Sequence, residues 1–213
     1  MKLLLFFLVI SIGFTACKNS ETSESTGMAG AYKMTSVSVK SAHTDTTFND
    51  PQQFKIYTED HMMYATVNPS DSVSAFGIAT YSMEKDTVTE NVFYSAGDST
   101  IDDTARVYKL FIEKSETGYR QVISNMTDTA LGTYTLTESY TRQDSAKTSP
   151  LDGAWKLAKY YTVKGNDTTL NDFTVFKIYY AGHVIWAHNF RDSLKKVHTG
   201  VGWGRFTVDG NKL

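Results

Sequence analysis

An all-β fold, an eight-stranded antiparallel up-and-down barrel, is predicted by three features of the sequence. From Gly30 onward the chain is dominated by Thr, Val, Ile, Tyr and Phe in short runs, the composition of half-buried pleated surfaces. No stretch of ten or more residues carries a convincing 3.6-residue apolar period. Most of the polar segments between runs are short, and consecutive strands joined by short turns pair antiparallel.

The runs fall at 31–39, 53–58, 61–67, 73–83, 87–94, 105–114, 119–126 and 131–142. Their punctuation is chemical: Glu59-Asp60, Asn68-Pro69-Ser70-Asp71, Lys85-Asp86, residues 95–103, Glu116-Thr117-Gly118 and residues 127–130. Gly, Asn, Asp and Pro mark turns because they tolerate or pre-set turn dihedrals. The longer 40–52 connection, with Pro51 near its end, is expected to carry a short helical turn or a lid. Closure of eight strands removes the unpaired edges of an open sheet. A two-sheet sandwich is the competing arrangement, and its Greek-key crossings need longer connections than most of these.

The chain also repeats itself. Gly30-Ala31-Tyr32-Lys33-Met34 returns as Gly153-Ala154-Trp155-Lys156-Leu157, and Asp45-Thr46-Thr47-Phe48-Asn49-Asp50 as Asp167-Thr168-Thr169-Leu170-Asn171-Asp172. Phe54-Lys55-Ile56-Tyr57 recurs unchanged as Phe176-Lys177-Ile178-Tyr179, followed by matched His61 and His183, then Tyr64 and Trp186. A repeat this long is a domain, not a solenoid unit. The second copy stops opposite Val88, so it holds the counterparts of about four strands. Four strands cannot close such a barrel. A truncated gene or partial sequence is therefore expected. The alternative is an authentic half-domain completed by another chain or by the first barrel. The face carrying Trp155, Leu157, Phe176 and Ile178 is expected to lie partly open.

The amino terminus has its own logic. Lys2 precedes an apolar stretch at 3–14, too short to span a bilayer as a helix. The following Phe14-Thr15-Ala16-Cys17 resembles a bacterial lipobox, with Phe14 where Leu is usual. The resemblance implies cleavage after residue 16 and lipidation of Cys17, the only cysteine. Two or three acyl chains make such anchoring stable. Lys18 after the cysteine, instead of Asp, favours the outer membrane. Residues 19–26 are rich in Ser, Thr and Glu and read as a tether. The organisation expected is a signal peptide at 1–16, a lipidated flexible tether at 17–28, a barrel at 29–142, a linker at 143–151 and an incomplete domain at 152–213. A net charge of −2 is not that of a nucleic-acid binder.

Gly30-Ala31-Tyr32 and Gly153-Ala154-Trp155 resemble the Gly-x-Trp opening of the lipocalin-like superfamily. The spacing to Phe-Lys-Ile-Tyr and the ending Glu138-Ser139-Tyr140-Thr141-Arg142 resemble a lipocalin-like domain of bacterial lipoproteins. Tyr32 in place of Trp departs from the pattern, and Trp155 restores it. The resemblance implies that Arg142 closes over Tyr32 at one barrel end.

Several residues compete for a functional role. His61 and His183 are polar anchors in a cavity or haem or metal ligands on one reading, and strand-end histidines beside a turn on the other. A zinc site needs three or four converging ligands, and no such spacing occurs, so no metal and no cofactor is implied. Glu90 and Glu138 could perform acid–base chemistry; the plainer reading turns both to solvent on the barrel exterior. Tyr64, Tyr81, Tyr94, Tyr108, Tyr119, Tyr134 and Tyr140 are the better clue, because tyrosine joins an apolar body to a polar tip. Half of them on the outer face is the plainer alternative. The ligand-binding set expected is His61, Tyr64, Tyr94, Tyr108 and Tyr140. The function expected is a membrane-anchored lipoprotein whose barrel binds a small hydrophobic or amphipathic ligand. The rival is a non-enzymatic envelope scaffold or protein-interaction module with a filled barrel; an enzyme is the third and least favoured class. A cavity of several hundred Å³ discriminates the first two.

Overall fold

The computed structural model describes residues 27–68, 73–97, 100–143 and 147–210. Residues 1–26, expected from the sequence to hold the export signal, Cys17 and the tether, lie outside the described residues, as do 144–146 of the expected linker. Among the described residues there is no helix. The first ten strands are β1 (Gly30–Ser41), β2 (Asp45–Asn49), β3 (Gln53–Tyr57), β4 (His61–Asn68), β5 (Val73–Glu84), β6 (Thr87–Ala96), β7 (Ile101–Asp102), β8 (Arg106–Ser115), β9 (Gly118–Asp128) and β10 (Gly132–Arg142). Six follow: β11 (Gly153–Lys156), β12 (Tyr160–Lys164), β13 (Asp167–Asn171), β14 (Phe173–Tyr180), β15 (His183–Arg191) and β16 (Val197–Arg205).

Antiparallel pairing runs β10-β9-β8-β6-β5-β4-β3-β1, and β1 pairs with β10 to close an eight-stranded barrel. Strand β1 changes partners along its length. Gly30 to Lys33 pair with β3, and Ser36 to Lys40 pair with β2. A bulge at Thr35 marks the handover, and the Asp50 amide donates to the Thr35 carbonyl at 2.8 Å. The connection expected to hold a helical turn or a lid is thus a hairpin arm. Every β2 side chain is exposed, so no apolar alternation betrays the strand. The main-chain ladder and a Ser38–Thr47 hydroxyl bond of 2.8 Å hold it.

The lumen is filled at one end. Tyr32, Tyr57, Tyr119 and Tyr140 pack there with Met34, Met62, Val88 and Leu110. The Tyr32 and Tyr119 ring centroids are 4.8 Å apart, edge to face; Tyr119 and Tyr140 stack at 4.7 Å. Met28, assigned by its sequence to the tether, is buried in this plug, and its carbonyl accepts the Tyr32 hydroxyl at 2.9 Å. Arg142 pairs with Tyr32 across β1 and β10. Its guanidinium carbon stands 5.8 Å from the Tyr32 ring centroid, and Nη2 donates to the Ala29 carbonyl at 3.0 Å. Because Arg142 is exposed, Arg142→Ala is expected to cost only about 1 kcal/mol. A modest fall in thermal midpoint checks this; an unmoved midpoint detaches the contact from stability.

Strands β11-β14-β15-β16 form a second sheet, and β12 with β13 a separate hairpin. Alternation gives the sheet two faces of different character. Phe176, Ile178, Ile185 and Ala187 are buried against the outside of the barrel, on Phe54, Ile56, Met63, Ala65, Phe76 and Ile78. Asn189 Nδ2 donates to the Tyr94 hydroxyl at 2.5 Å and Thr199 Oγ1 to the Gly97 carbonyl at 2.8 Å. The opposite face presents Trp155, Lys177 and Trp186 to solvent. The structure therefore divides the four residues expected on one open face. Trp155 and Leu157 are exposed, whereas Phe176 and Ile178 are buried. The reason is register: Trp155 pairs with Lys177, so it shares a face with the lysine and not with its two apolar neighbours.

Candidate functional site

Above the aromatic plug the lumen opens into a cavity of about 300 Å³. Its floor is a belt of three cross-strand pairs: Lys55 with Tyr64, Glu90 with Tyr108, and Gln121 with Glu138. All six residues line the cavity. Val92, Ile123, Met126 and Leu136 continue the wall toward the open end. At the rim Arg106 is ion-paired with Asp102. Gly77 lies opposite Tyr64. A Cβ at Gly77 would stand 2.5 Å from the Tyr64 ring, so the missing side chain lets the ring lie against the wall.

The belt is a continuous network. Lys55 Nζ donates to Glu90 Oε1 at 2.9 Å and to Gln121 Oε1 at 3.4 Å. The ammonium also sits 5.2 Å from the Tyr57 centroid and 5.7 Å from that of Tyr140. The Tyr57 hydroxyl donates to the same Glu90 oxygen at 2.6 Å. Burial first, and then the Glu90 charge, push the Tyr57 hydroxyl well above its ordinary value, so it stays protonated and remains a donor. Gln121 Nε2 donates to Glu138 Oε2, which also accepts the Tyr140 hydroxyl at 2.9 Å. Gln53 Nε2 donates to that hydroxyl at 2.7 Å.

Burial also raises the Glu138 carboxyl, opposed by the nearby Lys55 charge. The folded chain then keeps a proton that the unfolded chain has released. Glu138's contribution to stability is therefore full below the ordinary value of 4.5 and is lost as pH rises through the raised folded value. Glu138→Gln, which keeps the shape without titrating, is expected to flatten that decline. Urea midpoints measured across this range check it; an unchanged pH profile in the variant would assign the decline elsewhere.

The structure sorts the sequence candidates. Tyr64 and Tyr108 line the cavity, and Tyr140 lies in the plug with its hydroxyl in the belt network. Tyr94 is outside the barrel, its ring 5.1 Å from Phe176. The cause is a bulge where Ile78 pairs with Tyr94 but Ala79 with Val92, so that Phe93 is the extra residue and alternation reverses. His61 is also outside, with Nδ1 2.8 Å from Asp60 Oδ1 beside the turn. His183 is buried under the second sheet, its ring stacked on Phe54 at 6.0 Å. Glu90 and Glu138, read as solvent-facing, point inward: Glu90 is 4 % exposed, and burial perturbs Glu138.

Lys55 and Gln121 went unmarked in the sequence. The available signal was Phe54-Lys55-Ile56-Tyr57 itself, where alternation sets Lys55 on the same face as Tyr57. Among the described residues no group of three or more His, Cys, Asp or Glu is arranged to hold a metal ion. No protein-family model, curated protein or solved structure matches this chain.

Proposed function

We propose that this chain is a lipid-anchored lipoprotein of the bacterial envelope whose lipocalin-like barrel binds a small amphipathic molecule without chemical change. Residues 152–213 are, on this reading, a partial second copy of the same domain carried on the first. The cavity carries the proposal. Its volume of about 300 Å³ reaches the range of small-molecule sites, which combine apolar walls with a few placed polar groups. The belt supplies the polar groups; Val92, Ile123, Met126 and Leu136 supply the walls. The partial-copy reading is supported by conserved register: Gly30 pairs with Tyr57 as Gly153 does with Tyr179, and Tyr64 with Gly77 as Trp186 does with Gly202.

The rival scaffold reading draws on a different feature, the exposed Trp155 and Trp186 on the outer face of the second sheet. Mass spectrometry of small molecules released from the purified mature protein separates the two. Release of an amphiphile, lost when Leu136→Trp fills the cavity, supports binding. A protein that releases nothing and gives no calorimetric signal with amphiphiles returns the argument to the scaffold. Palmitate labelling that disappears in Cys17→Ser tests the anchor.

A further inference from the structure

We infer that the head group accepted by this cavity is a protonated amine, held between Glu138 and Glu90, with the ligand's apolar part directed toward the rim. The inference rests on the ligand-binding reading and specifies its chemistry.

It follows from the charges on the belt. Two carboxylates, the buried Glu90 and the half-buried Glu138, and one ammonium line the same floor. Lys55 is already engaged, by Glu90 at 2.9 Å, by Gln121 and by the faces of two tyrosines. It is therefore poorly placed to receive an anionic head. Glu138 makes no ion pair with any described residue; its protein partners are the neutral Gln121 and Tyr140. The remaining cation on the lining, Arg106, is held at the rim by Asp102.

A partly buried carboxylate whose nearest ammonium is committed to another acid is favoured by a further proton or cation. An alkylammonium supplies the cation together with several N–H donors. Acceptors for those donors exist. Both protein bonds to Glu90 fall on Oε1 and both to Glu138 fall on Oε2. Glu90 Oε2 and Glu138 Oε1 are thus the acceptor atoms this floor offers a ligand. A fatty-acid carboxylate would instead bring a third negative charge to a site with one committed ammonium, a repulsive arrangement that discriminates between heads. The tail direction follows from the plug: Tyr57, Tyr119 and Tyr140 block the lumen below the belt, whereas Val92, Ile123, Met126 and Leu136 lead away from it.

The test is calorimetry of the full mature chain with decylammonium, decanol and decanoate, each below its micelle concentration. Decylammonium is expected to bind at least about tenfold more tightly than decanoate, and Glu138→Gln to remove most of that preference. Should the variant fail to fold, the order of the three probes on the unaltered protein still decides. Decanoate binding as tightly as decylammonium overturns the inference but leaves a ligand-binding barrel standing. Failure of all three to bind overturns both.

Discussion

Lys55→Met is expected to destabilise the protein by about 3–5 kcal/mol, because it leaves the buried Glu90 carboxylate without its ion-pair partner. Lys55 is 3 % exposed, and its ammonium bridges β3 to β6 and β9 through Glu90 and Gln121. Methionine fills similar volume, so lost charge pairing and not a cavity dominates the change. Glu90→Gln is expected to cost less than Lys55→Met. It removes one of two carboxylates near a lysine, whereas Lys55→Met removes the one ammonium near two carboxylates. The double variant Lys55→Met/Glu90→Gln is expected to recover part of the loss, since breaking a buried pair costs more than removing both charges. Urea unfolding of the three variants measures this. A Lys55→Met protein within about 0.5 kcal/mol of the parent, the range of neutral surface changes, would show that the belt is not a structural ion pair.

The eight barrel strands were legible because each is a run of β-formers ended by a turn whose chemistry is local. Runs at 53–58 and 87–94 correspond to Gln53–Tyr57 and Thr87–Ala96 in the structure. Which face a side chain takes was legible only where alternation is unbroken. Tyr64 and Tyr108 lie on regular ladder segments and face inward. Tyr94 follows a one-residue bulge and faces outward. A bulge has no composition signature here, so every residue beyond it was assignable only by chance. The belt was hidden for another reason. A lysine or glutamate in a strand ordinarily faces water, and the partners that reverse this for Lys55 and Glu90 lie 35 positions apart in sequence. Only closure of the barrel brings them together. The hairpin arm of β2 was illegible because main-chain bonds hold it and its side chains are all exposed.

Phe176→Asp is expected to release the second sheet from the barrel while leaving the barrel folded. Phe176 is 3 % exposed and stands at the centre of the contact, with ring centroids 5.1 Å from Tyr94 and 6.3 Å from Phe76. Truncating a buried Phe costs about 3–5 kcal/mol, and an unpaired carboxylate in its place adds a desolvation penalty. The barrel keeps its closed ladder of main-chain bonds, and its plug shares no residue with this contact. Among the described residues the sheet has no comparable second core, since its other face already presents Trp155, Lys177 and Trp186 to water. Hydrogen exchange should therefore accelerate across β14 and β15 and stay slow in β8 and β9. The freed faces, Phe54, Ile56 and Phe76 on one side and Ile178 and Ile185 on the other, would favour self-association at higher concentration. Lys177→Glu provides the control. It is adjacent in sequence but exposed on the opposite face, and it is expected to change stability by no more than about 0.5 kcal/mol. Protection in β14 and β15 that survives Phe176→Asp would mean that the sheet holds its structure without the barrel.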